Sequence, residues 1–177
     1  RLVGIACEAI GYVGLAKVFP QLNGEQSRPL LTELEKVDNQ AVTWSEVMQG
    51  EKEFVRHGLR QTFNPIRHLV GWWQNRQTIK KAQAKHDFTI ARRRLLFTEL
   101  ALRCYQAEQG VGPERLDHLA PKYLQHVPTD PFSGQTLIYR AQGTNWLLYS
   151  VGPDGLDEGG KRTGKIVFGS GNSGDLF

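Results

Sequence analysis

The sequence predicts an α+β protein with an N-terminal helical bundle, a long spine helix and a small C-terminal antiparallel β-sheet. Two observations carry this. Phe88, Ala91, Leu95, Thr98, Leu102 and Tyr105 recur at spacings of 3, 4, 3, 4 and 3, the repeat of one helical face. Further on, Leu137 to Arg140 and Asn145 to Val151 read as two strands joined by Ala141-Gln142-Gly143-Thr144, a hairpin. Of the 177 residues 40% are hydrophobic, with four Trp and eight Phe among them, enough for a real core. We place a helical region at 1–83 and a second module at 84–177. The module divides into a spine helix 84–109, a turn-rich segment and β-sheet 110–168, and a flexible tail 169–177.

The elements follow in order. Leu2 to Phe19 reads as an amphipathic first helix over 2–18, since Glu8 and Lys17 interrupt it and Pro20 ends it. It falls short of the ~18 uninterrupted apolar residues of a spanning helix. The sequence opens at Arg1 with this apolar stretch already under way, so we expect an anchor or targeting segment upstream. Ser27 and Pro29 read as the start of a short helix with Leu30, Leu31, Leu34 and Val37 on one side. Thr43-x-x-Glu46 is a capping box, in which each side chain satisfies a free backbone N–H of the other residue. The helix after it carries Val47, Phe54, Val55, Leu59 and Phe63, and Asn64-Pro65 stops it and begins the next.

The spine then runs to Gln109, with Glu99 and Arg103 as an i,i+4 ion pair and Gly110 as its C′ residue. Pro113 to Leu119 suits a short helix, and Pro128 to Gln135 reads as consecutive turns. Ile166-Val167-Phe168 offers a third strand. Residues 150–177 hold eight of the 19 glycines and order only if something ties them down.

The net charge of +4 is unevenly spread. Between Glu51 and Arg103 there are 12 Lys/Arg against 4 Asp/Glu, a local +8, while the remainder holds 10 against 14, or −4. A basic middle suits an acidic partner, a phosphate polymer or an anionic lipid surface, and equally a solvated helical face. Lys80, Lys81 and Lys85 are the candidate contact residues on it. Arg92-Arg93-Arg94 sweeps about 200° of a helix, so the three cannot share one ligand. One should lie along the core edge while the others face water. Trp72 and Trp73 point about 100° apart, a core position and a candidate partner-binding position. Cys7 and Cys104 make no zinc pattern and read as buried thiols. The five histidines form no metal pair, and no nucleophile elbow, phosphate loop or dinucleotide fingerprint occurs. A nucleic-acid role is disfavoured, because no aromatic-flanked basic strand accompanies the arginines.

Leu147 to Gly160 is the most informative stretch. An apolar-aromatic strand runs into a glycine loop carrying Asp154, Asp157 and Glu158. Ca²⁺ takes 6–8 oxygens in loose geometry, so carboxylates three and four positions apart suit it, and a solvated acidic turn suits them as well. The spacing is not that of an EF-hand.

Several segments in order resemble the major pseudopilin of type II secretion systems and its type IV pilin-like relatives. They begin in the helix at Leu100-Ala101-Leu102-Arg103-Cys104-Tyr105-Gln106-Ala107-Glu108-Gln109-Gly110 and continue through Pro113 and Tyr123-Leu124. Val127-Pro128-Thr129-Asp130-Pro131-Phe132-Ser133-Gly134 and Leu148-Tyr149-Ser150-Val151-Gly152-Pro153-Asp154-Gly155 complete the series, over about residues 95–168. Gly112 stands where that family usually has an aromatic residue. The resemblance implies a helical spine packed on a small antiparallel sheet. It also implies a calcium loop in which the Ser150 carbonyl, Asp154, and Asp157 or Glu158 would be ligands. The helical region in front of this module is similar to that of large envelope proteins of planctomycete or verrucomicrobial type.

The expected function is therefore non-enzymatic: a membrane-anchored, pseudopilin-like ectodomain outside the cytoplasm, structural or assembly-related, with protein partners in the cell envelope. The alternatives are a basic helical adapter for a polyanion or anionic membrane, and an enzyme with an unrecognised site.

Overall fold

The computed structural model describes residues 24–58, 65–143, 145–161 and 176; the side chains of 24–26, 51–52, 54–58, 65–75 and 77 lie outside that description. The expected first helix, Cys7, Leu59, Phe63 and the strand at Ile166–Phe168 lie outside it too, as do the side chains of Phe54 and Val55. The elements are α1 (Gly24–Asn39), α2 (Trp44–Gly58), α3 (Pro65–Gln109), a 3-10 turn (Leu116–Leu119), β1 (Ile138–Gln142) and β2 (Asn145–Tyr149). This is a mixed architecture of helices and a small two-stranded antiparallel sheet.

Local chemistry sets the helix ends. Thr43 N–H donates to Glu46 Oε2 at 2.7 Å and Glu46 N–H donates to Thr43 Oγ1 at 3.3 Å, the reciprocal box expected at the head of α2. Gly110, at φ 78°, closes α3 and donates its N–H to the Gln106 carbonyl at 2.8 Å. Two boundaries differ from expectation. α1 begins at Gly24, so Ser27 is inside the helix and buried rather than its cap, and Pro29 lies within the helix. The spine begins at Pro65, not near 84, and is continuous for 45 residues, roughly 67 Å. The stripe from Phe88 to Tyr105 marks the part of α3 that the described core encloses.

The core forms on the C-terminal half of α3. Ala91, Leu100, Ala101 and Leu102 are fully buried there, and Leu31 and Leu34 of α1 join the same cluster with Leu116, Leu119, Leu124 and Leu137. Each fully buried leucine contributes about 1.5–3 kcal/mol. Packing therefore runs without a break across residue 83. Val37, expected on the apolar side of α1, is exposed instead. Cys104 is a free, buried thiol, and burial raises its pKa.

Polar groups on α3 decide where the other segments sit. Arg93, buried, donates from Nε to Asp38 Oδ1 at 2.7 Å, and Arg94 Nε donates to Asp38 Oδ2 at 3.0 Å, tying the end of α1 to α3. Arg94 Nη1 also donates to the Thr129 carbonyl at 2.7 Å. Arg92 stacks over the Phe88 ring, 5.3 Å from its centroid. Arg93 is thus the arginine at the core edge, while Arg92 and Arg94 stay partly exposed and each also finds an aromatic face or an acceptor. Glu108 gathers Lys122 Nζ at 2.5 Å, Tyr123 Oη at 2.8 Å and the Arg28 guanidinium. Lys122 foremost, then Tyr123 and Arg28, pull its pKa down to about 2.

His86 fastens the α1–α2 link. Its Nε2 lies 3.0 Å from the Val42 carbonyl and its Nδ1 3.3 Å from Asp87 Oδ1, with Trp44 stacked obliquely at 5.7 Å. The Asp87 bond, aided by the Val42 carbonyl and opposed by burial, raises the imidazole pKa above 6.5.

The hairpin pairs Ile138 with Tyr149 through Gln142 with Asn145. Ala141 and Gln142 belong to β1 rather than to the turn. β1 ends at Gln142, paired with Asn145, and Gly143 supplies the φ of +64° that a tight hairpin turn demands. Trp146 Nε1 donates to Glu99 Oε2 at 2.6 Å, while Arg103 Nε holds Oε1 of the same carboxylate at 2.9 Å. Leu148 and Trp146 pack on the core, so the hairpin lies against the spine. The Trp146 ring lies 3.4 Å from where a Gly112 Cβ would stand, so an indole arriving from β2 fills the space beside that glycine. Tyr139 Oη donates to the Pro113 carbonyl at 2.6 Å.

Asp130 organises the turn segment. Fully buried, it accepts the Phe132 N–H through Oδ1 and the Val151 N–H through Oδ2, both at 2.9 Å. Its own backbone bonds Gln135 and Gly134, closing the turn next to the Thr129–Thr136 bridge. On the far side of Ser150, Leu176 exchanges two backbone bonds with it, at 2.9 and 2.8 Å, and is buried in the core. The tail expected to be flexible is thus pinned at residue 176, because an apolar side chain and a strand-like pair both hold it there.

Asp130→Ala strands the buried Val151 N–H and the part-buried Phe132 N–H and is expected to cost about 2–4 kcal/mol, read from urea unfolding; an unchanged midpoint would contradict the clamp. The His86 contact should stabilise fully below its unfolded pKa and fade as pH rises through the raised folded value. Proton NMR titration should place its midpoint above 6.5. The stability difference between the parent chain and His86→Gln should then shrink from about pH 5 to about pH 8.

Candidate functional site

The acidic loop after β2 is where the sequence places ligand oxygens. Chain direction presents them: β2 ends at the buried Tyr149, and Gly152, Gly155, Gly159 and Gly160 take positive φ values of 75°, 72°, 77° and 86°. These turns fold the loop back across the hairpin, with Gly160 against Leu147 Cδ2; a Cβ there would stand 2.9 Å from it. Only glycine fits both the φ and the contact.

Asp157 holds the loop in place. Its Oδ1 accepts from Tyr149 Oη at 2.7 Å and from the Gly159 N–H at 2.8 Å, and its Oδ2 accepts from Arg140 Nη2 at 3.3 Å. The Tyr149 bond first, then the Gly159 N–H and the Arg140 charge, lower its pKa. Arg140 also lies over the Tyr149 ring at 5.8 Å. Asp154 Oδ1 accepts the Leu156 N–H at 3.2 Å in a local turn, leaving Leu156 64% exposed at the tip.

The four expected metal ligands are therefore close in sequence but not assembled as a cation cage. The Ser150 carbonyl accepts the Leu176 N–H, and the Ser150 hydroxyl oxygen accepts the Gly152 N–H at 3.2 Å. Asp157 spends both oxygens on the hairpin face, Asp154 caps its own turn, and Glu158 is half-buried. Among the described residues no group of three or more His, Cys, Asp or Glu side chains is placed to hold a metal ion. Among the described residues the printed contacts of Ser150 and Asp157 are those of a clasp that folds the loop onto the hairpin.

The expected partner-binding residues lie on the N-terminal half of α3. Lys80, Lys81 and Lys85 are exposed on it. Trp72 and Trp73 belong to the same helix, and their side chains lie outside the described set. No helix among the described residues is long and apolar enough to cross a membrane.

Between α1, α3 and the turn segment lies a polar cleft of about 180 Å³, bordered by Glu35, Asp38, Arg94, Gln125, His126 and Thr129. Glu35 Oε1 accepts the Gln125 N–H at 2.9 Å across it. Asp38, Glu35 and Glu108 went unremarked in the sequence, since an acidic residue on an amphipathic helix carries no mark of its distant partner. Asp130 reads in the sequence as part of a turn and of the pseudopilin-like series, with no sign of its bond to Val151.

Thermal unfolding in millimolar Ca²⁺ and in chelator is expected to give the same midpoint, because the loop oxygens are already bonded; a rise with Ca²⁺ would reopen the cation reading. Compared with protein families, with curated proteins and with solved structures, the chain matches none.

Proposed function

We propose that the chain is a non-enzymatic, pseudopilin-like ectodomain of a membrane-anchored envelope protein, with a structural or assembly role linked to type II secretion. One observation carries the reading: the hairpin and the Asp130 turn are both fastened to the C-terminal half of one unbroken helix, through Trp146–Glu99 and Arg94–Thr129. The order spine, short turn, aspartate turn, hairpin and glycine loop supports it. The chemistry of the loop supports a surface role over catalysis, because the carboxylate of Asp157 serves geometry and leaves no base poised beside a nucleophile.

On this reading partners are proteins of the envelope, met through exposed positions such as Leu156 and the outer faces of the helices. The full-length protein is expected in the envelope fraction, with its C-terminal module cleaved by protease only after the outer barrier is opened. A cytosolic distribution would end the proposal. Leu156→Cys should trap covalent multimers or adducts in cells under mild oxidation, whereas an exclusively monomeric product would remove the assembly role.

A further inference from the structure

We propose that the outer edge of β2 takes up an extended strand of a protein partner, which joins the sheet through main-chain hydrogen bonds at Trp146 and Leu148. Ser150 fixes the direction of the groups involved. It exchanges both of its backbone bonds with Leu176 on the side of β2 away from β1. Backbone groups alternate along a strand, so those of Leu148 and Trp146 point the same way, while Asn145, Leu147 and Tyr149 face their partners Gln142, Arg140 and Ile138. Among the described residues nothing bonds the outward N–H and C=O groups of Leu148 and Trp146. Two donors and two acceptors therefore stand open along the line that Leu176 begins.

This edge lacks the usual guards. Charged side chains, proline or a bulge keep edge strands from pairing with other chains. Asn145-Trp146-Leu147-Leu148-Tyr149 has none of them, whereas β1 carries Arg140 at its centre. Trp146, Leu147 and Leu148 are half-buried, so apolar surface remains beside the open groups. Leu176 shows what the row accepts: paired with Ser150, its side chain lies on the Leu148 face of the sheet and is buried in the core. A residue set opposite Leu148 continues that row, which calls for an apolar side chain at every second position of the incoming strand. A second copy of β2 does not fit. Antiparallel pairing of two such strands drives each hairpin turn into the Leu176 backbone of the other copy, and parallel pairing brings the two Leu176 segments together. The occupant is a strand of a different protein, antiparallel to β2 as Leu176 is and stopping short of it. The inference needs no envelope location, so a cytosolic distribution would leave it standing.

The test is amide hydrogen exchange of the full chain, followed by NMR, with the strand-forming peptide acetyl-Thr-Val-Thr-Val-Thr-amide as probe. In the chain alone the Trp146 and Leu148 amides should exchange fast and the Leu147 and Tyr149 amides slowly. Millimolar peptide should slow Trp146 and Leu148 and leave β1 unchanged. The valines face the core row and point their N–H groups at β2, so N-methylation of both should weaken binding roughly tenfold or more. N-methylation of the central threonine, whose N–H points away, should leave binding intact. Leu148→Pro removes an outward donor at an edge position where a proline ring is tolerated, and it should lose most of the protection at Trp146. If that variant does not fold, the N-methyl series decides alone. Slow exchange of Trp146 and Leu148 without peptide, no added protection with it, or equal binding of the valine-methylated peptide would each overturn the proposal. So would concentration-dependent protection of Trp146 and Leu148 by the chain itself, which would put a second copy on the edge.

Discussion

The constraint that governs this molecule is the enclosure of a helix that carries charge. From His86 to Cys104, α3 is covered on nearly every side, yet it contains Arg93, Arg94 and Glu99, with Glu108 one turn beyond. Burying such groups is costly unless each meets a partner. Every segment that packs on the helix brings one: α1 brings Asp38 and Arg28, the segment after the 3-10 turn brings Lys122 and Tyr123, and β2 brings Trp146. Hydrophobic burial supplies the attraction, and these pairings choose the docking positions.

The pairings are also linked in series. Asp38 joins both arginines, Arg94 continues to Thr129, and the neighbouring Asp130 reaches Val151 at the exit of the hairpin. From there Ser150 holds Leu176 on one side, and Asp157 folds the glycine loop onto Tyr149 on the other. A path of short polar contacts thus runs from the end of α1 to the tip of the C-terminal loop, alongside the apolar core.

What could be read from the sequence was local. The Thr43–Glu46 box, the Glu99–Arg103 pair, the Gly110 terminus and the hairpin all depend on residues within a few positions of one another. The extent of α3 was only partly legible: Asn64-Pro65 marks a helix start, but between Trp73 and Phe88 only Ile79 is large and apolar, so nothing in the pattern joins the two stretches. Partner choice was not legible either. Asp38 meets Arg93 across 55 positions and Arg28 meets Glu108 across 80, and nothing nearby in the chain distinguishes those acidic residues from others. The acidic loop shows the limit most plainly. Its oxygens were evident, but their donors, Tyr149 and Arg140, were visible only once the hairpin was folded.

The unbroken run of α3 has a mechanical side. Proline occurs only at its first residue, so the backbone ladder continues from Pro65 to Gln109 without a natural hinge. The C-terminal half of that shaft is gripped by the core. A push or twist delivered to its N-terminal end would travel along a stiff axle into the packed end, where it would bear on the hairpin as one piece.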